Sequence, residues 1–192
     1  VDGFVDENKY EIGCNSVPGS YLSYHSAMEF YGLQNQVWNR IYLSSAKRFR
    51  PFEFEFVEYM YAPDRHREGI VRPAEHVSVR VTDVERTIID RPDLAGGLEE
   101  LVYNLELIGT VDEDRLLRYL PLYGKSVIYQ KTGFILSLFK ERMGLGGEFF
   151  QTCGEKTGRS VRYLTDKRES RIYIPRWRLY VPQYILSLTE NY

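Results

Sequence analysis

The hydrophobic period of this chain changes at Thr82, and that change restricts the folds open to it. Before Thr82, "FEFEFVEYMYA" (residues 52–62) alternates, with Phe52, Phe54 and Phe56 on one side and Glu53 and Glu55 on the other. Such alternation marks a half-buried antiparallel strand. "QVWNRIYLSS" (36–45) and "EHVSVRVT" (75–82) read as further strands. From residue 83 the apolar spacing is helical over 83–90, 96–108, 112–122 and 125–143, with breaks at Pro92, Gly109 and Gly124. Strand character returns in "SVRYLT" (160–165) and "RIYIPRWRLYVP" (171–182). Strands first, then a helical block, then closing strands predict an α+β fold with an antiparallel sheet, not alternating βαβ units.

Two segments near the start complete this reading. "SYLSYHSAMEFYGLQ" (20–34) predicts a helix with Ser23 as its N-cap and Gly32 as its stop. "FVDENKYEIG" (4–13) predicts a short hairpin turning at Asp6–Asn8, a candidate remnant of the wing of a winged helix. The expected division is therefore 1–20 as the remnant and 21–192 as one compact domain. With 192 residues the chain is long enough for a sizeable core.

No apolar run approaches the roughly 20 residues of a membrane span. Residues 1–13 lack the basic start and apolar centre of a signal peptide, so a cytoplasmic protein with no membrane partner is expected. Cys14 and Cys153 stand far apart, outside any C-x-x-C spacing, which predicts neither a disulfide framework nor a metal site.

The acid-rich stretch "VTDVERTIIDRPDLAGGLEEL" (81–101) raises the question of a carboxylate active site. Helix-end chemistry accounts for it. Thr82 and Glu85 have capping-box spacing, Asp83 places negative charge at the positive end of the helix dipole, and Arg86 and Asp90 stand four apart on one face. Other acid arrangements also lack catalytic spacing. A divalent-metal nuclease needs Pro-Asp followed by Asp/Glu-x-Lys, but Glu7-Asn8-Lys9 precedes both Pro63-Asp64 and Pro92-Asp93. Gly19-Ser20 and Asp112-Glu113-Asp114 are too far apart for a nucleotidyltransferase core, and His25, His66 and His76 are scattered. The expectation is no catalytic residue, no metal and no cofactor.

Charge is uneven along the chain. Residues 156–178 hold eight Lys/Arg against two acids, so this segment carries +6 and the remainder −8. The candidate partner-binding residues are Arg159, Arg162, Lys167, Arg168, Arg171, Arg176 and Arg178 here, with Lys47, Arg48 and Arg50 on the connector "AKRFRP". Basic groups beside exposed strand faces suit a phosphate backbone or an acidic partner, and both stretches are expected on one side. Trp177 is expected in the core, with Arg176 and Arg178 exposed on either side of it.

The succession "YLSYHSAMEFYGL", a strand pair with a basic connector, "VRVTDVERTIID", "RPDLAGGLEEL" and "PRWRLYV" resembles the effector domain of AbiEi-type antitoxins from type IV toxin–antitoxin (abortive-infection) systems. The resemblance runs from about Tyr21 to Val181. Here Asp90 runs directly into Arg91, where the family usually carries a few extra residues, and residues 1–20 hold no recognition helix. The resemblance implies an antitoxin and transcriptional regulator that counters a cognate nucleotidyltransferase-like toxin and binds DNA through an N-terminal part. A nuclease-like enzyme and a pure protein-interaction module are the alternatives.

Overall fold

The computed structural model describes residues 8–34, 36–90, 97–165 and 170–189. The fold is α+β, and the chain divides into two compact units, Val1–Thr87 and Ile88–Tyr192.

The first unit is built on a six-stranded sheet ordered β3-β4-β2-β1-β6-β5. Its strands are β1 (Tyr21–Leu22), β2 (Arg40–Ser45), β3 (Phe52–Phe54), β4 (Val57–Pro63), β5 (Ile70–Val71) and β6 (Val81–Thr82). The sheet is mixed and not antiparallel throughout, since β1 runs parallel to β6 and β2 parallel to β4. Its core holds Tyr10, Cys14, Leu22, Ala27, Ile41, Leu43, Tyr59, Val79 and Val81.

Several expectations fail in this unit. Residues 8–16 form helix α1 (Asn8–Ser16), not the arm of a hairpin. Tyr10 and Cys14, four apart, both face the core, and the Tyr59 hydroxyl donates to the Lys9 carbonyl at 3.0 Å. Arg80 then donates to the carbonyl of Cys14 (2.8 Å), an acceptor that the end of α1 leaves open, and to that of Ser20 (2.6 Å), just before β1. Residues 52–62 form a two-residue hairpin, not one strand. Glu55 and Phe56 turn the chain with φ of 49° and 63°, and Phe54 pairs with Val57. No glycine or asparagine marks that turn, and the alternation continues through it.

The third failure concerns residues 20–34. Tyr21–Leu22 is strand β1, and α2 (His25–Phe30) begins behind Tyr24, whose φ is 55°. Ser23 does not cap this helix; its hydroxyl meets the Ser44 hydroxyl at 2.8 Å. Gly32, at φ +69°, ends the segment as expected. Of residues 75–82 only Val81 and Thr82 join the sheet.

The second unit carries the helical block: α4 (Leu98–Glu106), α5 (Glu113–Tyr119), α6 (Ser126–Ser137), α7 (Lys140–Met143), α8 (Gly147–Lys156) and α9 (Tyr184–Thr189). Helix α3 (Val84–Asp90) spans the point of division. Asp112 caps α5 by accepting from the Arg115 amide at 3.1 Å. Glu113 caps a different helix. Its carboxylate accepts from the amides of Gly146 (2.6 Å) and Phe149 (3.2 Å) at the start of α8. The Asp112-Glu113-Asp114 triplet is thus committed in part to helix ends.

A three-stranded sheet, ordered β7-β9-β8, closes this unit: β7 (Arg162–Tyr163), β8 (Arg171–Ile174) and β9 (Leu179–Pro182). The run 171–182 is therefore a hairpin, with a 3-10 turn at Pro175–Trp177 and Arg178 in the left-handed region at φ 47°. Trp177 is buried, and it lies where Gly133 of α6 has no side chain. Beside it the Gln130 amide donates to the carbonyls of Ser160 (3.0 Å) and Trp177 (3.1 Å), fastening the sheet to α6.

A Cβ at Gly133 would fall 2.6 Å from Cη2 of the indole. Alanine in a helix interior normally gains about 1 kcal/mol over glycine. Here overpacking of about 1–3 kcal/mol opposes that gain, so Gly133→Ala should lower stability in urea unfolding. A gain in stability would show that the indole moves freely aside.

Candidate nucleic-acid interface

The small sheet has two unlike faces, and alternation along its strands sets them. On β9, Leu179 and Val181 are fully buried, and opposite them on β8 lie Ile174 and Ile172. These apolar residues turn inward together with Leu164 and Trp177. The intervening positions turn outward. Tyr180 pairs with Tyr163 on one side and with Tyr173 on the other, so the register sets three tyrosines in one row across the strands.

Their rings touch. Tyr163 and Tyr180 stack with centroids 5.4 Å apart and planes 18° from parallel. Tyr173 and Tyr180 are 5.2 Å apart and tilted by 47°. Tyr163 is 49% exposed and Tyr173 42%. The Arg171 guanidinium lies 4.6 Å from the Tyr163 ring centroid and also donates to the Thr165 carbonyl at 3.4 Å.

The structure places four more of the expected arginines on this unit. Arg159 and Arg162 are exposed on and before β7. Arg176 and Arg178 are exposed on either side of buried Trp177, as expected, but on a tight turn instead of a strand. Arg176 lies 5.1 Å from the indole centroid, and Arg178 donates to the Gly158 carbonyl at 3.4 Å. Lys167 and Arg168 fall outside the described residues. Tyr163, Tyr173 and Tyr180 are not singled out by charge. The alternation in "RIYI" and "LYVP" carried the signal.

Lys47, Arg48 and Arg50 belong to the first unit. They are exposed on the connector between β2 and β3, which Phe49 anchors through an edge contact with Tyr61 at 5.6 Å. Arg48 lies 5.9 Å from the same ring.

The acid-rich stretch divides its tasks differently from the expected capping box. The N-cap of α3 is Asp83, one residue later than expected, and its carboxylate accepts from the Arg86 amide at 2.8 Å. Thr82 instead pairs hydroxyl to hydroxyl with Thr87 at 2.7 Å, where both are buried. Arg86, 1% exposed, donates to the carbonyls of His66 (3.2 Å) and Glu68 (2.7 Å), which fixes a loop. Asp90 accepts from the Tyr123 hydroxyl, and Glu85 is buried. Because the cap moves, Asp83→Ala should cost about 0.5–2 kcal/mol of stability. Thr82→Val removes one buried hydroxyl bond and should cost about 1 kcal/mol. Urea midpoints check both, and an unaffected Asp83 variant would remove the carboxylate from the capping role.

Both cysteines are buried free thiols. Burial pushes the Cys14 thiol up, and burial with Glu113 nearby pushes Cys153 up from 9.0 to about 12. Burial likewise raises Tyr10 and Tyr21, with Glu29 and Asp64 adding to the respective shifts. A folded-state value above the unfolded one stabilises fully below the unfolded pKa, and that contribution is lost as pH rises through the folded one. The contribution of the Cys153 thiol should therefore be constant below about pH 9 and be lost from there towards 12. At mildly alkaline pH both thiols should resist alkylation until urea is added. Fast labelling of the native protein would contradict this.

Among the described residues, no group of three or more His, Cys, Asp and Glu side chains could hold a metal ion. Also among them, no helix is long and apolar enough to cross a membrane. Compared with known proteins, the chain matches no family model and no curated protein. In fold it is similar to the RV2827C protein from Mycobacterium tuberculosis, at 16% identity and a TM-score of 0.63, over 94% of this chain and 68% of that one.

Proposed function

We propose that this chain is the effector part of a cytoplasmic antitoxin and transcriptional regulator of a type IV toxin–antitoxin system. It would act without catalysis, against a nucleotidyltransferase-like toxin. The observation that carries the reading is the exposed arginine set Arg159, Arg162, Arg176 and Arg178 around the small sheet of an otherwise acidic chain. It is supported by the motif succession from "YLSYHSAMEFYGL" to "PRWRLYV" and by the helix-end duties of Asp83 and Glu113. Arginines so placed offer phosphate or carboxylate contacts and no base-edge reading of a duplex. They steer a charged partner and raise its on-rate more than its affinity.

Two measurements test this. Duplex DNA should bind weakly and without sequence preference, with affinity falling by about two orders of magnitude between 50 and 200 mM salt. A salt-tolerant preference for one duplex would refute it. In cells that co-express a nucleotidyltransferase-like toxin, charge reversal at Arg162 with Arg176, and separately at Arg48 with Arg50, should weaken protection while the fold persists. Unchanged protection and unchanged DNA binding in both folded variants would reduce the basic surfaces to solvated faces.

A further inference from the structure

We propose that the row Tyr163–Tyr180–Tyr173, with Arg171 laid against Tyr163, is a stacking platform for the unpaired bases of single-stranded RNA. The core does not require these rings. The opposite face of the same strands already buries Leu179 and Val181 completely, while Tyr163 and Tyr173 remain nearly half exposed. Tyrosines that serve packing in this chain are closed off, as Tyr21 and Tyr59 are at 1% and 0% exposure. Cross-strand pairing explains why neighbouring rings stabilise a short sheet, but not why Tyr163 and Tyr173 keep nearly half of their surface in solvent with the Arg171 guanidinium against Tyr163.

The chemistry of this surface selects its partner. A π-face set among cations suits a ligand that is flat, aromatic and attached to negative charge, which describes a nucleotide. An acidic peptide would satisfy the arginines and leave three rings without a purpose. Duplex DNA would offer phosphates, but its base faces are already stacked inside the helix. Unpaired bases stand exposed in RNA loops and ends, where aromatic rings and arginine planes take them up. This inference does not rest on the antitoxin reading.

The test uses the full chain and fluorescence anisotropy with labelled RNA of about twelve nucleotides, uridine-rich or adenosine-rich. Competitors are a duplex DNA of equal charge and poly-L-glutamate. Both RNAs should bind with little preference between them and should resist either competitor. Tyr163→Ala and Tyr173→Ala should each weaken RNA binding by about tenfold, whereas Tyr→Phe at either position, which keeps the ring, should change it by less than about twofold. Arg171→Gln should lower the salt slope by about one. Tyr173→Leu keeps apolar bulk on the strand, so its loss of binding cannot be assigned to unfolding when circular dichroism stays native. The proposal fails if RNA does not bind, if the alanine and leucine variants bind as before, or if duplex DNA or polyglutamate competes equally. In the duplex case the arginine-based DNA reading would survive alone.

Discussion

The closing sheet of the second unit depends on one steric vacancy. Three strands of two to four residues are too short to be stable alone, and this sheet holds because Trp177 is sunk into α6 where Gly133 contributes no side chain. Gln130 adds the polar half of the joint by occupying carbonyls that the tight turn would leave buried and unpaired. With the inner face anchored this firmly, Leu179 and Val181 complete the packing. The outer face is then free of structural demand, and side-chain choice there can answer to a partner.

A related economy governs the charged residues. Arg80, Arg86 and Glu113 all reach main-chain groups that secondary structure cannot satisfy: the end of α1, the loop carrying His66 and Glu68, and the start of α8. A guanidinium with several donors closes more than one carbonyl at a time, which suits arginine to half-buried Arg80 and buried Arg86 alike. An acid-rich stretch in such a chain is better read first as helix-end chemistry than as a catalytic centre. Asp83 and Asp112 cap their own helices, and Glu113 caps one that starts more than thirty residues later.

The sequence was readable where the determining information is local. The change of period at Thr82 and the stop at Gly32 follow from residues close to where they act. It was opaque where pairing across distance decides. The turn at Glu55-Phe56 has no turn residues, α1 is fixed by Tyr59 and Arg80 from far along the chain, and the short α8 hides behind a run of glycines. The candidate interface divides in the same way. Its arginines emerge from counting charge, whereas the tyrosine row exists only once β7, β9 and β8 are in register.

The order of strands in the larger sheet has a consequence for how the protein is made. Strand β1, only two residues long, is clamped between β2 and β6, and the arginine that ties the end of α1 in place lies sixty residues beyond Ser20. Contacts of such sequence separation must bear the loop-closure entropy of the intervening chain before they stabilise anything, and this slows folding. During synthesis the first unit therefore cannot close when β1 to β4 have left the ribosome; it must wait for Arg80 and Val81 to emerge. Until then the nascent chain presents an unpaired sheet edge at β1, and that interval is when the unit is most open to capture by chaperones or by another copy of itself.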